Sequence, residues 1–269
     1  MQNFVVRSGR ADLAVSMAGE GTAVVFLHAG VADRRMWWSQ LAMFSASHCV
    51  IAYDRRGFGE TRYKSEPHNL VQDLDAVLET VGIERAVLVG CSQGGRIAID
   101  YALTYPERTE GLILVAPAIS GAPADSEYPD RIQRLFDEME LAERNGDVDW
   151  QNKLEAHAWL DGPAEDEGRV SGSVRELFLD MNALALRASA PGKETGVLKA
   201  YARLAELEMP VEIVSGELDF PHINERNKHL RSTVRRGHLT VMPAVAHLPS
   251  LEAPAKFNTL LRRLLRRYD

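Results

Sequence analysis

The sequence predicts an α/β protein with a doubly wound, mostly parallel sheet and an inserted helical cap. Short, continuously apolar runs alternate with amphipathic helical patterns over residues 1–118 and again after residue 204. Such runs are typical of strands that are covered on both faces. Residues 119–204 instead show helical stripes and loops without a strong strand. We therefore expect an α/β core of residues 1–118 and 205–269, and a helical cap of residues 119–204.

The predicted strands follow one another along the chain, and the first two are joined around Gly9. They cover residues 4–7, 13–18, 23–27, 49–53, 86–89, 112–115, 211–214 and 239–242. The predicted core helices cover residues 36–45, 70–81, 93–105 and 257–265. The second and the last of these helices keep their apolar residues on one face. Two apolar stripes at helical spacing mark the cap: Ile132, Leu135, Phe136 and Met139, and then Leu177, Met181, Leu184 and Ala185.

The composition limits the classes of function. The 269 residues carry a formal net charge of -7, whereas a protein that binds nucleic acid normally shows a basic patch. The two cysteines, Cys49 and Cys91, fit a reducing compartment better than a disulfide scaffold. Because the sequence shows neither a basic leader nor a long apolar stretch, we expect a cytoplasmic protein without a membrane partner. We also predict no metal ion and no cofactor.

The segment Gly90-Cys91-Ser92-Gln93-Gly94 lies where an apolar run ends and a helical pattern begins. It is a G-x-S-x-G nucleophile elbow in a strand–turn–helix setting. A serine at the tip of so tight a turn projects clear of the sheet, and the close approach of helix and strand leaves no room for a Cβ at either glycine. The start of the helix directs free backbone N–H groups at the same place. Ser92 is therefore the predicted nucleophile.

A serine nucleophile needs a base within hydrogen-bond reach and a carboxylate that orients this base. In a parallel sheet such groups gather at the carboxyl ends of the strands. The strand at 211–214 leads into Asp219, and the last strand leads into His247. The resulting order of serine, acid and histidine is the one that nucleophile-elbow enzymes use. Glu217, in the same turn as Asp219, is the main competing acid, and we interpret Glu252 as an anchor of the final helix.

Other histidines and a cysteine compete less well for a catalytic role. We interpret His28 as a structural residue that fixes its loop, because His247 already supplies the base. Cys91 precedes the elbow tip and should point into the core. The other six histidines do not follow the last strand: His48, His68, His157, His222, His229 and His238. Of these, His157 and His222 could line a pocket.

The oxyanion formed during acyl transfer needs preorganised N–H donors. One predicted donor is the backbone N–H of Gln93, the residue after the nucleophile. The other should come from the loop after Leu27, where we favour Gly30. Apolar residues near the strand ends and in the cap could line a substrate pocket or pack in the core. The predicted substrate-binding residues are Trp37, Phe58, Trp159, Phe178 and Met181.

Together these motifs resemble those of α/β-hydrolase-fold serine hydrolases with a helical cap. They are similar to the H-G-x, D-x-R-G-x-G, G-x-S-x-G-G, G-x-x-D and G-H-x-x-x-x-E-x-P patterns of that family. Two alanines depart from these patterns, since Ala29 and Ala246 stand where the family usually has glycine. The matching segments are His28-Ala29-Gly30, Asp54-Arg55-Arg56-Gly57-Phe58-Gly59, Gly90-Cys91-Ser92-Gln93-Gly94-Gly95, Gly216-Glu217-Leu218-Asp219, His247-Leu248-Pro249 and Glu252-Ala253-Pro254.

The resemblance, within the carboxylesterase and 3-oxoadipate enol-lactonase-like group, implies attack by serine on a carbonyl carbon. Related haloalkane dehalogenases and epoxide hydrolases carry aspartate at the elbow, so Ser92 argues against both. The charges of the cap are scattered and form no cationic cluster. We therefore predict a small-molecule substrate, a neutral or weakly charged carboxylic ester or lactone cleaved through an acyl-enzyme. The alternatives left open are a C–C bond hydrolase, a perhydrolase, a lyase, or a ligand receptor with a slow triad.

Overall fold

The computed structural model describes residues 1–123 and 127–268, and within these ranges nine strands form one sheet. The strands are β1 (Gln2–Ser8), β2 (Ala11–Ala18), β3 (Ala23–Leu27), β4 (Cys49–Tyr53), β5 (Arg62–Tyr63), β6 (Ala86–Cys91), β7 (Thr109–Val115), β8 (Val211–Gly216) and β9 (Gly237–Met242). Their order across the sheet is β1-β2-β4-β3-β6-β7-β8-β9, and β5 pairs with β2. All neighbouring pairs from β4 to β9 are parallel, whereas β1, β2 and β5 pair in antiparallel fashion. The predicted mostly parallel α/β sheet is therefore confirmed.

Helices cover both faces of the sheet and its carboxyl edge. They are α1 (Trp38–Phe44), α2 (Leu70–Thr80), α3 (Gln93–Thr104), α4 (Asp130–Asn145), α5 (Val148–Ala156), α6 (Ser173–Arg187), α7 (Pro221–Thr233), α8 (Pro249–Glu252) and α9 (Pro254–Leu265). Shorter 3-10 helices lie at Arg34–Trp37, Pro106–Arg108 and Ala200–Glu206, and one π-helical turn lies at His157–Asp161.

The central strand β3 shows why its sequence is continuously apolar. Val25 and Leu27 pack in one hydrophobic cluster, on the face that also holds α2 and α3. Val24 and Phe26 point the other way and pack in a second cluster with α1 and α9. Because successive side chains of a strand alternate between faces, a strand buried on both sides needs an apolar residue at every position.

The insertion between β7 and β8 contains α4, α5 and α6, and residues 124–126 of the predicted cap lie outside the described residues. Its two ends meet, since the Tyr201 N–H donates to the Ser120 carbonyl at 2.9 Å. The predicted boundary after residue 204 falls inside the 3-10 helix Ala200–Glu206. Ala200 and Leu204 of that helix pack in the core cluster around α3. The polypeptide thus rejoins the core a few residues earlier than the sequence pattern indicates.

A return segment at residues 189–196 ties the insertion to the core. The Glu66 N–H donates to the Pro191 carbonyl at 3.0 Å. On α3, Arg96 makes two hydrogen bonds to Glu194, at 2.9 and 3.0 Å. Across 1–123 and 127–268, no helix is both long enough and apolar enough to cross a lipid bilayer.

Candidate active site

Ser92 stands at a strained turn between β6 and α3. Its backbone has φ 51° and ψ −115°, a region that residues other than glycine rarely adopt and that occurs mainly at functional sites. The turn is possible because its neighbours lack side chains. A Cβ on Gly90 would lie 2.5 Å from the Gly94 carbonyl oxygen, and a Cβ on Gly94 would lie 2.1 Å from that of Leu27. The sequence expectation of close approach at both glycines agrees with these distances.

Asp219 and His247 meet beyond the ends of β8 and β9. His247 Nδ1 lies 2.9 Å from Asp219 Oδ2, and both side chains are almost completely buried. The other carboxylate oxygen, Oδ1, accepts a hydrogen bond from the Phe220 N–H at 2.8 Å. In the described part of the chain His247 Nε2 has no hydrogen-bond partner. The residue lines the same cavity as Ser92. Asp219 thus fixes the ring at Nδ1, while Nε2 is left without a hydrogen-bond partner among the described residues.

The two rival carboxylates hold the histidine loop from outside. The exposed Glu217 accepts a hydrogen bond from the Ala244 N–H at 2.9 Å. Glu252 accepts one from the Ala246 N–H at 2.7 Å, and its other oxygen lies 2.6 Å from Arg169 of the insertion. Neither carboxylate reaches the His247 ring by these bonds, so both stabilise the loop that carries it.

His28 and Arg55 fix the loop that follows β3. His28 Nε2 accepts a hydrogen bond from the Arg55 backbone N–H at 3.1 Å, and Nδ1 lies 2.8 Å from the Ala29 carbonyl oxygen. Burial first, and the charge of Arg55 second, lower the pKa of His28 well below its ordinary value. The ring therefore stays neutral, with one nitrogen donating and the other accepting. Arg55 Nη2 donates a further hydrogen bond to the Ala29 carbonyl at 2.9 Å.

The hydrogen bonds to the Ala29 carbonyl also orient the Gly30 N–H, which belongs to the same peptide group. The C=O and N–H of a trans peptide point in opposite directions. Because the Ala29 carbonyl points at His28 and Arg55, the Gly30 N–H points away from them. Gly30 itself lies at the cavity beside Ser92. This arrangement suits the oxyanion-donor role that the sequence suggests for Gly30.

Gln93 follows Ser92 and begins α3, where the first N–H groups of a helix have no partner within the helix. Its side-chain Oε1 accepts a hydrogen bond from Arg55 Nη1 at 2.9 Å. Gly30 lies against the same side chain, since a Cβ there would be 3.1 Å from Gln93 Cδ. Arg55 therefore links the two segments that carry the predicted oxyanion donors. Arg55 stands at the variable second position of the D-x-R-G-x-G pattern, so the motif does not point to this arginine or to its contacts.

A cavity of about 470 Å³ lies over Ser92, between the strand ends and the helical insertion. Seven residues of the α/β core form one side, which we call the core wall: Gly30, Val31, Phe58, Ser92, Gln93, Ala118 and His247. Six residues of the insertion form the other side, which we call the insertion wall: Met139, Glu155, Trp159, Asn182, Ala185 and Leu186.

Two of the predicted pocket residues lie in these walls. The Phe58 ring packs under the Arg55 guanidinium, which is 4.4 Å from the ring centroid. The Trp159 ring lies 4.8 Å from the His247 ring, centroid to centroid. Trp159 belongs to the π-helical turn His157–Asp161, and such turns within helices occur frequently at functional sites.

The other three predicted pocket residues do not line the cavity, contrary to the prediction. Trp37 is fully buried and packs 5.3 Å from the Phe26 ring and 6.1 Å from the Phe257 ring. Phe178 and Met181 are also fully buried, in the same core cluster. Their hydrophobicity indicates burial, and the core provides it without the cavity.

Sequence reasoning missed the two polar residues of the insertion wall, Glu155 on α5 and Asn182 on α6. Asn182 Nδ2 donates to Glu155 Oε2 at 2.6 Å. The two residues are distant in sequence and belong to no motif, so a single sequence offers no signal for their pairing. The Cys91 thiol, by contrast, points into the core as expected, and burial raises its pKa.

Comparison with known proteins supplies the family. The sequence profile described as the alpha/beta hydrolase family matches residues 24–260. A relative in Bacillus subtilis (strain 168), assigned provisionally as a 2-succinyl-6-hydroxy-2,4-cyclohexadiene-1-carboxylate synthase, is 28% identical over 90% of either chain. A 2-hydroxy-6-oxononadienedioate/2-hydroxy-6-oxononatrienedioate hydrolase of Comamonas testosteroni is 40% identical, over 44% of this chain and 45% of its own.

Among solved structures, Est816, described as an N-acyl homoserine lactone degrading enzyme, superimposes with a TM-score of 0.76 at 25% identity. The superposition covers 96% of this chain and 98% of Est816. A thermophilic esterase from Thermogutta terrifontis gives a TM-score of 0.78 at 24% identity, over 99% of both chains, and so supports the fold.

Proposed function

As this chain belongs to the alpha/beta hydrolase family, we propose that it is a serine hydrolase of small, neutral or weakly charged carboxylic esters or lactones. The observation that carries the proposal is the buried Asp219–His247 pair: Nε2 of this histidine has no hydrogen-bond partner among the described residues, and His247 lines the same cavity as Ser92. A histidine held by a carboxylate at one nitrogen and free at the other is the arrangement of a general base. Est816, the lactone-degrading neighbour, has the same fold over nearly the whole chain.

In the proposed reaction Ser92 Oγ attacks the carbonyl carbon of the ester while His247 Nε2 takes the hydroxyl proton. The Asp219 carboxylate stabilises the imidazolium that forms. The backbone N–H groups of Gly30 and Gln93 donate to the oxyanion. His247 then gives the proton to the leaving alcohol, which leaves an acyl group on Ser92. A water molecule, deprotonated by the same histidine, attacks this acyl group. His247 then returns the proton to Ser92 Oγ as the bond to the acyl group breaks and the carboxylic acid is released.

The insertion over the carboxyl edge of the sheet acts as a cap in this proposal. Ala185 and Leu186 of α6 line the cavity over Ser92, and the insertion places the Trp159 ring against the His247 ring. A lid of this kind excludes water and limits the acyl group to what fits beneath it. A cavity of about 470 Å³ suits an ester or lactone of short to medium length.

Hydrolysis of a carbon–carbon bond is the second candidate, since the Comamonas testosteroni relative is a hydrolase of a dioate by its name. A dioate is a dianion, and a site that binds it needs cationic groups or N–H donors for its carboxylates. Among the described residues that line the cavity there is no arginine or lysine, and the insertion wall carries the carboxyl group of Glu155. The charge of the cavity therefore disfavours an anionic substrate.

The proposal is tested with a fluorophosphonate and a panel of chromogenic esters and lactones. The folded protein should be labelled at Ser92, as located by mass spectrometry, because an activated serine attacks the reagent. Ser92→Ala should lower kcat by on the order of 10⁶-fold. Absence of an adduct, or an adduct at another residue, would remove Ser92 from its role. A single turnover followed by stable acylation would instead indicate a ligand receptor.

A further inference from the structure

The polar groups of the insertion wall form one closed hydrogen-bond network. Asn182 uses both hydrogens of its amide nitrogen, donating to Asn152 Oδ1 at 3.0 Å and to Glu155 Oε2 at 2.6 Å. Asn152 in turn donates to the Leu179 carbonyl at 2.8 Å. Gln151 donates to Glu155 Oε1 at 2.9 Å. The network thereby fixes the orientation of both cavity-lining residues, Glu155 and Asn182.

The network leaves hydrogen-bond acceptor positions available to a ligand. An ionised carboxylate has no hydrogen to donate, and its two oxygens can accept about four hydrogen bonds. Glu155 receives one at each oxygen, so capacity remains on both. The amide hydrogens of Asn182 are occupied, which leaves its Oδ1 as the polar atom it can offer. The insertion wall therefore presents acceptors and no amide donor to the cavity.

The charge of Glu155 has no cationic partner within the described structure. The ion pairs found there leave it out, and its hydrogen-bond partners are the neutral Gln151 and Asn182. Burial raises the pKa of Glu155, the hydrogen bonds from Asn182 and Gln151 oppose this, and Glu143 raises it slightly further. A carboxylate in such a setting gains most from a donor or a cation brought by the ligand.

We infer that Glu155 and Asn182 form a subsite for a hydrogen-bond donor, so that the substrate carries an amide N–H, a hydroxyl or an ammonium group beneath the insertion. This inference rests on the proposed function, because the donor must belong to an ester or lactone whose carbonyl reaches Ser92. A carboxylate at the same place in the substrate would face Glu155 and be repelled. Glu155 is thus a specificity-determining residue, separate from the groups that carry out the reaction.

The test uses three p-nitrophenyl esters of six-carbon acids that end in methyl, ammonium or carboxylate. In the wild type, kcat/KM for the ammonium ester should exceed that for the carboxylate ester by at least about 10-fold, since one charge-assisted hydrogen bond is worth roughly this factor. Glu155→Gln keeps the size of the side chain and removes its charge, so this ratio should fall by about 10-fold. The matched control is Glu140→Gln on α4, an exposed carboxylate near Arg144, which should leave the ratio as in the wild type.

Equal ratios in the wild type and in Glu155→Gln would overturn the subsite. Thermal unfolding of each variant shows whether it is folded, and a ratio between two substrates does not depend on the amount of active protein.

A binding measurement separates the subsite from the reaction. Methyl esters with the same three ends are titrated into Ser92→Ala and into Ser92→Ala combined with Glu155→Gln.

The subsite predicts that the ammonium end improves binding to Ser92→Ala about 10-fold over the carboxylate end, and that this preference is lost in the double variant. If no ester is turned over by the wild type, the proposed function fails while the binding comparison still decides the subsite. If esters are turned over through Ser92 but both comparisons show no preference, the subsite alone fails.

Discussion

The core wall and the insertion wall of the cavity are held in different ways. On the core wall, His247 and Gln93 are fixed by side chains that follow other strands, His247 by Asp219 and Gln93 by Arg55. On the insertion wall the polar pair is fixed from within the insertion, by neighbours on α5 and α6. This difference implies that reaction chemistry and substrate choice depend on separate sets of contacts. Substitutions that affect the core wall should then change the rate and leave the substrate preference as it is. Substitutions in the insertion wall should mainly change the substrate preference.

The largest effect expected from changing a partner of the core wall is that of Asp219→Asn. The amide cannot stabilise the imidazolium and favours the wrong tautomer of His247, so kcat should fall by on the order of 10⁴-fold. If the walls act separately, the loss should be the same for every ester in a panel, as measured by steady-state rates.

Glu217→Gln is the matched control for Asp219→Asn, because Glu217 lies in the same turn and its carboxylate accepts a hydrogen bond from the Ala244 N–H. It should change kcat by less than about 3-fold, since an amide oxygen can accept the same hydrogen bond. A large loss for Glu217→Gln together with a small one for Asp219→Asn would move the acid to Glu217.

Arg55→Met comes next in size and tests the positioning role of the arginine. Without the guanidinium the Ala29 carbonyl and the Gln93 side chain lose their common partner, and kcat should fall by on the order of 10²-fold, comparable to the loss of one oxyanion donor. KM should change little, because Arg55 does not line the cavity. Arg55→Lys should not restore the rate, since an ammonium cannot reproduce the planar fork.

Fluorophosphonate labelling gives the fraction of folded, active protein for each Arg55 variant. Rates expressed per labelled site then separate a positioning effect from a loss of stability. An unchanged rate per labelled site would mean that Arg55 stabilises the fold without orienting the oxyanion donors.

The sequence allowed most of the core wall to be predicted, because its residues follow strands directly. Ser92, Asp219 and His247 each stand within a few residues of a strand end, where chain order alone determines the edge of the sheet. The insertion wall depends on how helices pack against one another. Phe178 and Met181 of α6 pack in the core cluster, while Asn182 and Ala185 of the same helix line the cavity. Hydrophobic spacing does not distinguish these two positions.

A change in the insertion wall should alter substrate choice with a smaller effect on rate. Ala185→Phe adds an aromatic ring to the cavity, so kcat/KM for a six- to eight-carbon acyl ester should fall about 10-fold relative to the acetyl ester. The control is Leu184→Phe on the same helix, where the side chain is 47% exposed and outside the cavity. It should leave the chain-length profile as it is.

The chain-length profile also tests the cap. In the wild type kcat/KM should fall for long-chain esters, because they exceed a cavity of about 470 Å³. A steady rise out to long acyl chains, with activity at a lipid interface, would show that the insertion does not close the site. The same result would remove the distinction between the two walls.

The smallest expected effect concerns stability and again separates the core wall from the rest. His28 is buried and neutral, and its pKa lies well below the ordinary 6.5. The unfolded chain therefore binds more protons than the native protein as the pH falls below about 6.5, and the free energy of unfolding decreases there by up to about 1.4 kcal/mol per pH unit. Above that pH the stabilisation is fully present.

His28→Asn does not titrate, and its amide can still donate to the Ala29 carbonyl. Urea unfolding at pH 7.5, 6.5 and 5.5 should give a steeper loss of stability for the wild type than for His28→Asn. Parallel pH profiles would mean that the His28 ring takes up a proton in the folded protein, and that the core wall is less rigidly fixed than its hydrogen bonds indicate.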